Sequence, residues 1–590
     1  MCGIAGFIGN EDAAPIVLDA LKRLEYRGYD SAGLATCADG QIFLKKETGN
    51  VNEVNQLLSL GTLPGSVSIG HVRWATHGIV NQHNAHPHID CKLQVAVVHN
   101  GIIENYQELR ERLKFRHRFI SDTDTEVIAH LIEEHIEAGA SLEQAVLQTV
   151  KVLKGSYALA VISANKPQKI VGARKDSPLM VGIDSRGNFI ASDALCFLQY
   201  TNRVIAVEDD EIVVLKADEV HFFDLDGEEV IRESTELEWQ YHEATKQKHD
   251  FFTIKEIMEQ PTAIHAASVQ DRHNLTDIAT AILLSKQVVI TACGTSRYAG
   301  VIGRYIFSKL GGKFSDVIIG SEFHYFAESI DKSTLVVAIS QSGETADVIK
   351  GVKAARKRGA TIFSIVNVAN SSLARMSDKV LYLNCGPEIG VAATKSFTNQ
   401  LILLYLVGFA MQKKLDSGIN KIEAISHLIE DNLQHNRENI RALAYELQEK
   451  KDFYYIARGI NFAIAGEGAL KLKEISYVHA EGMPAGELKH GTLSLIEKGT
   501  PVVAICPSDY TLHETLANIS EVKSRGAFVL GISDQNNPVF DEWIKIPSVE
   551  EMFYPLVSIM PLQLLAYYSA LARNLDPDRP RNLAKSVTVT

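Results

Sequence analysis

Cys2 is the first residue whose chemistry stands out, because it directly follows Met1. If Met1 is removed, Cys2 carries a thiol and a free α-amine on one residue, and an α-amine has a pKa of about 8. Such an amine accepts a proton near neutrality, so the thiol gains a general base of its own. This combination predicts nucleophilic attack on an amide; an inert residue at a frayed terminus is the alternative.

Four further residues could complete a site for amide hydrolysis. Asn100 and Gly101 end a β-like run, and the side-chain amide with the backbone N–H would form an oxyanion hole. Arg73 presents a planar fork for a carboxylate, and Asp124 would hold an ammonium group. A site for a free amino acid needs both charges, one for each end of the ligand. The alternative is that Arg73 and Asp124 form a surface ion pair.

A hydroxyl-rich loop in the second half of the chain predicts an anion site. Residues 340–345 follow a buried strand and precede a helix that we expect from Ala346 to Arg356. Amide N–H groups at a helix start bind phosphate without a lysine, although an ordinary N-cap is the alternative. Residues 293–296 end a neighbouring strand and add hydroxyls. The later segment 504–510 lacks the glycine and carries an acid, so we expect no phosphate there.

Acid–base groups gather towards the end of the chain. Lys471 and Glu474 share a helix face at a spacing of three, for which a plain salt bridge is the alternative. His490 lies in a glycine-containing turn. The last segment carries Lys585 and is not of low complexity, although chain termini usually fray.

The elements that position these residues fall into distinct stretches. Residues 1–220 read as one α+β domain, with helices expected at 125–138 and 142–153, and a polar linker follows at 221–250. Strand–turn–helix segments then recur about 165 positions apart, which predicts two tandem α/β domains with parallel sheets. We place these domains at 251–430 and 431–575 and an active-site tail at 576–590.

Bulk composition narrows the function classes. A chain of 590 residues holds about three or four domains, and a formal charge of -13 argues against nucleic-acid binding. The seven cysteines are scattered without a CxxC pair, which fits reduced thiols in a cytoplasm. No signal peptide is expected, and the apolar stretch Leu401–Met411 is too short to span a membrane and reads as a buried helix. We therefore expect a cytoplasmic protein with no membrane and no nucleic-acid partner.

A group of histidines invites a metal hypothesis, which their spacing does not support. Their intervals match neither HExxH nor a paired CxxC pattern, and prolines and polar residues surround them. We expect a solvated, turn-rich loop, no metal and no cofactor. The histidines in question are His71, His77, His83, His86 and His88.

Four motifs together resemble the glutaminase domain of class II amidotransferases. They are Cys2-Gly3-Ile4, residues 24–33, residues 73–78 and Asn100-Gly101. The resemblance implies an N-terminal-nucleophile fold of αββα layers, a thioester at Cys2 and an oxyanion hole at Asn100 and Gly101. It also implies that bound glutamine contacts Arg73, Trp74, Thr76, His77 and Asp124, with Trp74 as a gate for ammonia.

The second half resembles the isomerase half of the isomerising glutamine–fructose-6-phosphate aminotransferases, whose two SIS-type copies match the repeat. The resemblance implies that Glu474 moves a proton between C1 and C2, supported by Lys471. It implies that His490 helps to open the sugar ring and that Lys585 forms a Schiff base. The implied sugar-phosphate contacts are Gly294, Thr295, Ser296, Ser340, Gln341, Ser342, Thr345, Val391 and Ala584.

The whole resemblance implies that L-glutamine and D-fructose 6-phosphate yield D-glucosamine 6-phosphate in a homodimer, with ammonia passing along a dry route. The chain lacks the long insertion of larger relatives, which puts feedback inhibition by a nucleotide sugar in doubt. Three alternatives stay open. They are a class II amidotransferase with another acceptor, a non-catalytic SIS sugar-phosphate sensor, and a simple aldose–ketose isomerase.

Overall fold

The computed structural model describes residues 2–239 and 241–588. The chain divides into two units: the first runs to Ala244 and takes in Ser586 and the residues after it, and the second is Thr245–Lys585. Met1, Gln240 and the last two residues of the tail lie outside the described residues. The predicted removal of Met1 therefore also concerns a residue outside that part of the chain.

The first unit is built from antiparallel strands and short helices. Its strands are β1 (Gly3–Gly9), β2 (Ser31–Ala38), β3 (Gln41–Thr48), β4 (Val67–Arg73), β5 (His88–Ile89), β6 (Val95–Ile103), β7 (Gly155–Ser163), β8 (Ile170–Lys175), β9 (Met180–Asp184), β10 (Gly187–Ala191), β11 (Arg203–Ala206), β12 (Glu211–Leu215), β13 (Val220–Phe223), β14 (Glu229–Val230) and β15 (Thr235–Glu236). Its helices are α1 (Ala13–Leu24), α2 (Val51–Leu58), α3 (Tyr106–Leu113), α4 (Glu126–Glu137) and α5 (Leu142–Val150).

These strands form two stacked sheets. One has the order β15-β11-β9-β10-β1-β4-β2-β3 and the other β14-β13-β12-β8-β7-β6-β5. Strand β6 shows the layering, because successive side chains point to opposite faces. Ala96 and Val98 join the core between the sheets, whereas Val95 and Val97 join the core under α4 and α5.

Helix α1 covers the outer face of the first sheet. Its apolar side, which includes Val17 and Leu21, contacts β1 and β4. A Cβ at Gly70 of β4 would lie 2.8 Å from Leu21 Cδ1, so a glycine lets the helix approach closely. Helix, sheet, sheet and helix therefore form four layers, which confirms the predicted αββα arrangement.

The second unit contains parallel strands and longer helices. Its strands are β16 (Gln287–Ala292), β17 (Asp316–Ile319), β18 (Thr334–Ser340), β19 (Thr361–Val366), β20 (Lys379–Tyr382), β21 (Asp452–Ala457), β22 (His479–Pro484), β23 (Pro501–Ile505), β24 (Phe528–Ser533) and β25 (Glu542–Lys545). Its helices are α6 (Phe252–Met258), α7 (Gln260–Ser268), α8 (Arg272–Leu284), α9 (Gly294–Gly311), α10 (Gly320–Phe323), α11 (Ala346–Lys357), α12 (Ser372–Arg375), α13 (Lys395–Met411), α14 (Leu415–Glu446), α15 (Phe462–Ser476), α16 (Leu512–Lys523) and α17 (Tyr554–Ala572).

The two sheets of this unit repeat one topology. Their orders, β17-β16-β18-β19-β20 and β22-β21-β23-β24-β25, place the second strand of each copy at one edge and the first strand beside it. All their pairings are parallel. The tandem α/β copies expected from the repeat are confirmed.

Two apolar helices lie in the core that the copies share. Every residue of α13 is buried, which agrees with the prediction that Leu401–Met411 is a buried helix. In the part of the chain that the structure describes, one segment, 551–572, is long and apolar enough to cross a membrane, yet most of it is buried inside the protein. That segment includes α17, a core helix of the second unit.

The predicted linker, residues 221–250, overlaps the end of the first unit's sheets. Strands β14 and β15 and a short helical turn at Tyr241–Ala244 lie within that range. The boundaries proposed from sequence at 220, 250, 430 and 575 stay predictions.

Candidate functional site

Cys2 lies immediately before β1, at the start of a central strand of the first sheet. Its Sγ accepts a hydrogen bond from the Trp74 N–H at 3.3 Å and lies 3.4 Å from the Trp74 carbonyl oxygen. The Arg27 Nε–H donates to the Cys2 carbonyl oxygen at 3.2 Å. These contacts fix the thiol beside the segment that follows β4.

The electrostatic surroundings of Cys2 act in both directions. Burial raises the pKa of the Cys2 thiol, while the Trp74 N–H and the Arg73 guanidinium lower it and Asp124 raises it. The net pKa is raised, so the thiol is protonated near neutrality. A thiol in this state needs a base before it can attack an amide.

Asn100, on β6, offers a hydrogen-bond donor that nothing in the described part of the chain accepts. His71 Nε2 lies 3.1 Å from Asn100 Oδ1 and 3.0 Å from the His99 carbonyl oxygen. Burial lowers the pKa of His71 to about 3, so this imidazole is neutral and donates to both oxygens. The Asn100 Nδ2 group is buried and without a partner there. A buried unpaired amide costs about 1–3 kcal/mol, which is typical of a donor kept for a ligand.

Gly101 follows with a backbone that only glycine adopts readily. Its φ is +127°, and a Cβ there would lie 2.1 Å from the Ser156 carbonyl oxygen of the adjacent strand β7. A side chain at this position would force β6 and β7 apart.

Arg73 and Asp124 are both buried, with exposed fractions of 3% and 4%. The Arg73 guanidinium donates to the carbonyl oxygens of His77, Gly78 and Ile79. Asp124 Oδ2 accepts the Ile103 N–H at 2.8 Å. Among the described residues Arg73 forms no ion pair with a carboxylate, so a surface salt bridge does not account for this arrangement.

The remaining predicted glutamine contacts lie in the turn after β4. The Trp74 ring packs edge-on against Tyr29 at 5.6 Å between centroids. His77 is half-buried against Tyr106, and its Nδ1 is buried without a hydrogen-bond partner in the described chain. Thr76 is exposed.

The histidine-rich segment differs from the solvated loop that we expected. His71, His86 and His88 are buried, and only His83 of that group is exposed. Burial lowers the pKa of His86 and of His88, as it does for His71. The expectation was wrong because neutral imidazoles stack like other aromatic rings, with the His71 and His86 centroids 4.1 Å apart.

In the second unit, β16 and β18 are neighbours and their carboxyl ends lead into α9 and α11. After β16 the chain crosses to β17 at one edge of the sheet, whereas after β18 it crosses to β19 in the opposite direction. Ligands of open α/β sheets bind at such a switch point. Neither helix has a side-chain cap, since Cys293 and Thr345 make no capping hydrogen bond.

The loop after β18 is closed by its own hydroxyl groups. Ser340 Oγ lies 2.8 Å from Thr345 Oγ1 and accepts the Gly343 N–H at 3.1 Å. Ser342 Oγ accepts the Glu344 N–H at 3.2 Å. Gln341 and Ser342 are half-buried, so the loop is both ordered and accessible.

Thr295 joins the first α/β copy to the acid–base groups of the second copy. Its Oγ1 donates to Glu467 Oε1 at 3.0 Å and accepts from Lys471 Nζ at 2.9 Å. Lys471 Nζ also lies 2.5 Å from Glu474 Oε2 and 3.5 Å from Glu467 Oε1. Ser296, the next hydroxyl, accepts from Gln400 Nε2 at 2.9 Å.

The pKa values of this cluster follow from its burial. Burial raises the pKa of Glu467 to about 8, against the lowering effect of Lys471. Burial opposes the charge of Lys471, but Glu467 and Glu474 together raise its pKa overall. Lys471 is therefore a fixed cation, beside which a carboxylate can exchange a proton. Glu467 is a member of this cluster that the sequence analysis missed.

Lys585, which the sequence places in a tail, is buried by its partners. Its Nζ donates to the Glu388 carboxylate and to the Gly390 carbonyl oxygen, the latter at 2.8 Å. Val391 follows directly, and its N–H donates to the Asp578 carbonyl oxygen at 3.1 Å. Ala584 is half-buried beside Lys585. The structure thus brings Val391 and Lys585 into one region around Glu388.

The segment before Lys585 is anchored rather than frayed. Asp578 is buried, and its carboxylate accepts the N–H groups of Phe252 and Thr253 at 2.8 and 2.7 Å. Neither Glu388 nor Asp578 was singled out from sequence. Their signal is weak, because each is an isolated acid whose partners lie far away along the chain.

His490 is not brought to the other predicted catalytic groups. It is exposed at the end of the helical turn Ala485–His490. Within the described residues no hydrogen bond or ion pair joins it to Lys471, Glu474 or Lys585. Its role stays a prediction.

Two family models match the chain. One is described as a SIS domain and matches residues 281–410 and 446–573, and the other is described as a glutamine amidotransferase domain and matches residues 71–199. The SIS matches cover both parallel sheets of the second unit, and the amidotransferase match covers β4 to β10 of the first.

Curated relatives align over their whole length. The glutamine–fructose-6-phosphate aminotransferase [isomerizing] of Pyrococcus horikoshii is 46% identical over 598 aligned residues, which cover 100% of both chains. Its namesake from Thermococcus kodakarensis is 45% identical, again over 100% of both chains.

A solved structure matches the second unit. The C-terminal domain of glucosamine-fructose-6-phosphate aminotransferase from Francisella tularensis is 34% identical, with a TM-score of 0.53. The match covers 57% of this chain and 99% of that domain.

Proposed function

Since the chain belongs to the family of isomerising glutamine–fructose-6-phosphate aminotransferases, we propose that it makes D-glucosamine 6-phosphate from L-glutamine and D-fructose 6-phosphate, releasing L-glutamate. The observation that carries the proposal is 46% identity across the whole of both chains, because it spans the amidotransferase and the SIS parts together. If the protein were only an aldose–ketose isomerase or a SIS sensor, the amidotransferase match in the first unit would have no explanation.

In the first half-reaction the Cys2 sulfur attacks the side-chain amide carbon of glutamine. The carbonyl oxygen becomes an oxyanion that the unpaired Asn100 Nδ2 and the Gly101 N–H stabilise. The C–N bond breaks, ammonia leaves with a proton from the base, and water then hydrolyses the thioester to glutamate. With Met1 removed, the Cys2 α-amine is the base that this protonated thiol requires.

Recognition of glutamine uses the two buried charges of the first unit. Arg73 binds the α-carboxylate and Asp124 the α-ammonium, with Thr76 and His77 beside them. Support for this assignment comes from the burial of both charges without a mutual ion pair. The substrate therefore supplies the counter-charges that the described chain does not.

In the second half-reaction the phosphate binds at the start of α11, within the hydroxyl-lined segment Ser340–Thr345. Lys585 Nζ passes a proton to the C2 carbonyl oxygen of the open-chain sugar, attacks C2 as a neutral amine and expels that oxygen as water, which leaves a protonated Schiff base. Ammonia displaces the lysine and leaves an imine at C2. Glu474 then carries a proton from C1 to C2, while the O1 hydroxyl proton passes to the nitrogen, which gives the aldose with an amine at C2. Lys471 holds Glu474 in place through their 2.5 Å contact.

Ammonia must reach the sugar without a proton, because the ammonium ion has no lone pair with which to attack a ketone. A dry route from Cys2 to the sugar site, gated by Trp74, meets that need. We also expect a homodimer and a cytoplasmic location, because these are properties expected of the family.

The division of labour is tested by two variants assayed for both half-reactions. Cys2→Ala should abolish glutamine hydrolysis and retain isomerisation of fructose 6-phosphate. Lys585→Ala should lose synthesis of the amino sugar and retain glutamine hydrolysis. If Lys585→Ala destroyed the glutaminase, or Cys2→Ala the isomerase, in a folded protein, the assignment would be wrong.

A further inference from the structure

Four potential metal ligands meet in the first unit, and none of them is a residue assigned to glutamine. Cys91 lies in the turn between β5 and β6, His117 follows α3, and His130 and Glu133 lie three residues apart on α4. One ligand atom from each of these residues lies within 4.8 Å of the other three.

Four of the six distances among these atoms lie close to the edges of a tetrahedron around zinc. Cys91 Sγ is 3.7 Å from His117 Nδ1 and 3.7 Å from His130 Nδ1. Glu133 Oε2 is 3.0 Å from His117 Nδ1 and 3.4 Å from His130 Nδ1. With Zn–S of about 2.3 Å and Zn–N or Zn–O of about 2.0 Å, tetrahedral geometry requires edges of about 3.5 Å and about 3.3 Å.

The outer nitrogens of the two rings also fit metal-bound imidazoles. His117 Nε2 and His130 Nε2 are buried and have no hydrogen-bond partner in the described chain. Each faces a carboxylate, at 3.6 Å from Glu134 and 3.7 Å from Glu126. Metal-ligating histidines usually direct the free ring N–H at a carboxylate in this way. Without a metal, His117 Nδ1 and His130 Nδ1 compete for the same Glu133 oxygen.

Cys91 provides the route by which an ion enters. It is the exposed member of the set, whereas the other three residues are buried. The Arg118 N–H already donates to Cys91 Sγ at 3.4 Å, as backbone amides do to a ligating thiolate. A site with four protein ligands leaves no open position for a substrate, which is typical of a structural ion.

We propose that Cys91, His117, His130 and Glu133 bind one Zn²⁺ ion as a structural site. Thiolate, imidazole and carboxylate together suit zinc, whereas Mg²⁺ and Ca²⁺ take oxygen ligands. Binding displaces the thiol proton of Cys91, so the apparent affinity rises with pH.

The zinc ion would brace the segment that carries a glutamine-binding residue. Residues 114–125 join α3 to α4 and include Asp124. His117 would fix this segment to the ion, and His130 and Glu133 would fix the helix that follows it. Glu126, behind His130, also accepts the N–H groups of Ile120 and Ser121, each at 2.7 Å. Loss of zinc should therefore loosen Asp124 and weaken glutamine binding, an effect that rests on the proposed function.

No metal was expected from the sequence, because the histidines at 71–88 match neither HExxH nor a paired CxxC pattern. The ligands identified here are separated by 26, 13 and 3 positions, a spacing that matches no short motif. Only His130 and Glu133, one helical turn apart, carry a local signal.

The first test measures metal in the full-length protein. Protein dialysed against excess Zn²⁺ and then passed over a weak chelator should retain about one zinc per chain. Cys91→Ser, His130→Ala and Glu133→Gln should each retain far less. His135→Ala, on the same helix but outside the cluster, is the matched control and should retain zinc as the wild type does.

The second test uses Co²⁺ with the wild-type protein, so it does not depend on variants that fold. We expect the intense visible bands of tetrahedral cobalt and a thiolate-to-cobalt charge-transfer band, which Cys91→Ser lacks. Octahedral cobalt spectra, or zinc retained equally by Cys91→Ser, would overturn the proposal.

Glutamine kinetics separate this inference from the function on which part of it rests. Zinc removal should raise KM for glutamine about tenfold with little change in fructose 6-phosphate isomerisation. Stoichiometric zinc without any glutaminase activity would leave the metal site standing and overturn the function. Active enzyme that retains no zinc would overturn the metal site and leave the proposed function standing.

Discussion

The Nζ of Lys585 donates a hydrogen bond to the carboxylate of Glu388, 197 residues earlier in the chain. Burial opposes ionisation of Glu388, but Lys585 and the Ser396 N–H and hydroxyl groups lower its pKa to about 2 overall. The carboxylate is therefore charged throughout the physiological range, and it holds the proposed Schiff-base lysine in one position.

Glu388→Gln should damage the sugar half-reaction and the stability of the second unit. Removing one partner of a buried ion pair costs about 3–5 kcal/mol, because the other charge stays buried without compensation. Synthase kcat should fall at least about tenfold while glutamine hydrolysis is retained, as measured by separate assays of the two products.

Glu423→Gln is the control for that variant, because Glu423 pairs with His265 at the surface and should contribute less than about 1 kcal/mol. Unchanged synthase activity in Glu388→Gln would show that Glu388 does not position Lys585.

Asn100→Ala should slow glutamine hydrolysis by about 10²–10³-fold in kcat, as expected for the loss of one oxyanion donor. Stability should change little, because Nδ2 has no partner in the described chain and His71 keeps the His99 carbonyl oxygen. Steady-state hydrolysis and thermal unfolding measure the two effects. The exposed Asn52→Ala is the control, and an effect on KM alone would argue against an oxyanion role.

Gly343→Ala should weaken binding of the sugar phosphate. Gly343 has a φ of +67°, and a Cβ there would lie 2.0 Å from Ser371 Oγ, so the loop must open. We expect KM for fructose 6-phosphate to rise about tenfold or more, measured at saturating glutamine.

Gly359→Ala separates backbone strain from the effect on the loop. Its φ of +85° is just as unfavourable for alanine, but its Cβ would meet nothing closer than 3.6 Å. It should lose some stability and keep its KM. Equal KM values in the two variants would contradict a phosphate site at Ser340–Thr345.

How far the sequence predicts this molecule depends on how local each signal is. The hydroxyl loop at 340–345 was placed between a strand and a helix because a continuous apolar run, a glycine and helix periodicity all lie within a few residues. The tandem repeat was also visible, since two copies of one topology reproduce one order of apolar strands and turns.

What the sequence did not reveal depends on pairs brought together by the fold. Glu388 has its functional partner 197 positions away, and Asp578 contacts Thr253 across 325 positions. The burial of His71 was missed for the same reason, because its covering residues come from other strands. No short pattern encodes such contacts.

Stability should depend on pH through Glu467. Burial raises its pKa to about 8, from an ordinary value of 4.5 in the unfolded chain. The folded protein therefore holds the extra proton between those values, so the contribution of Glu467 to stability is greatest below pH 4.5 and is lost as pH rises to 8. One such proton changes the free energy of unfolding by about 1 kcal/mol per pH unit.

Glu467→Gln should remove that dependence. Thermal unfolding at several pH values between 5 and 8 should show the variant gaining on the wild type as pH rises. The exposed Glu446→Gln should follow the wild type at every pH, and parallel curves for Glu467→Gln would show that Glu467 does not carry the proton.

The central claim is that nitrogen from glutamine ends on a sugar phosphate made by the same chain. Incubation of the full-length protein with glutamine labelled with ¹⁵N at the side-chain amide and with fructose 6-phosphate, followed by mass spectrometry, tests it directly. We predict ¹⁵N in a hexosamine 6-phosphate, even when unlabelled ammonium is present. Labelled ammonia released without any labelled amino sugar would contradict the account.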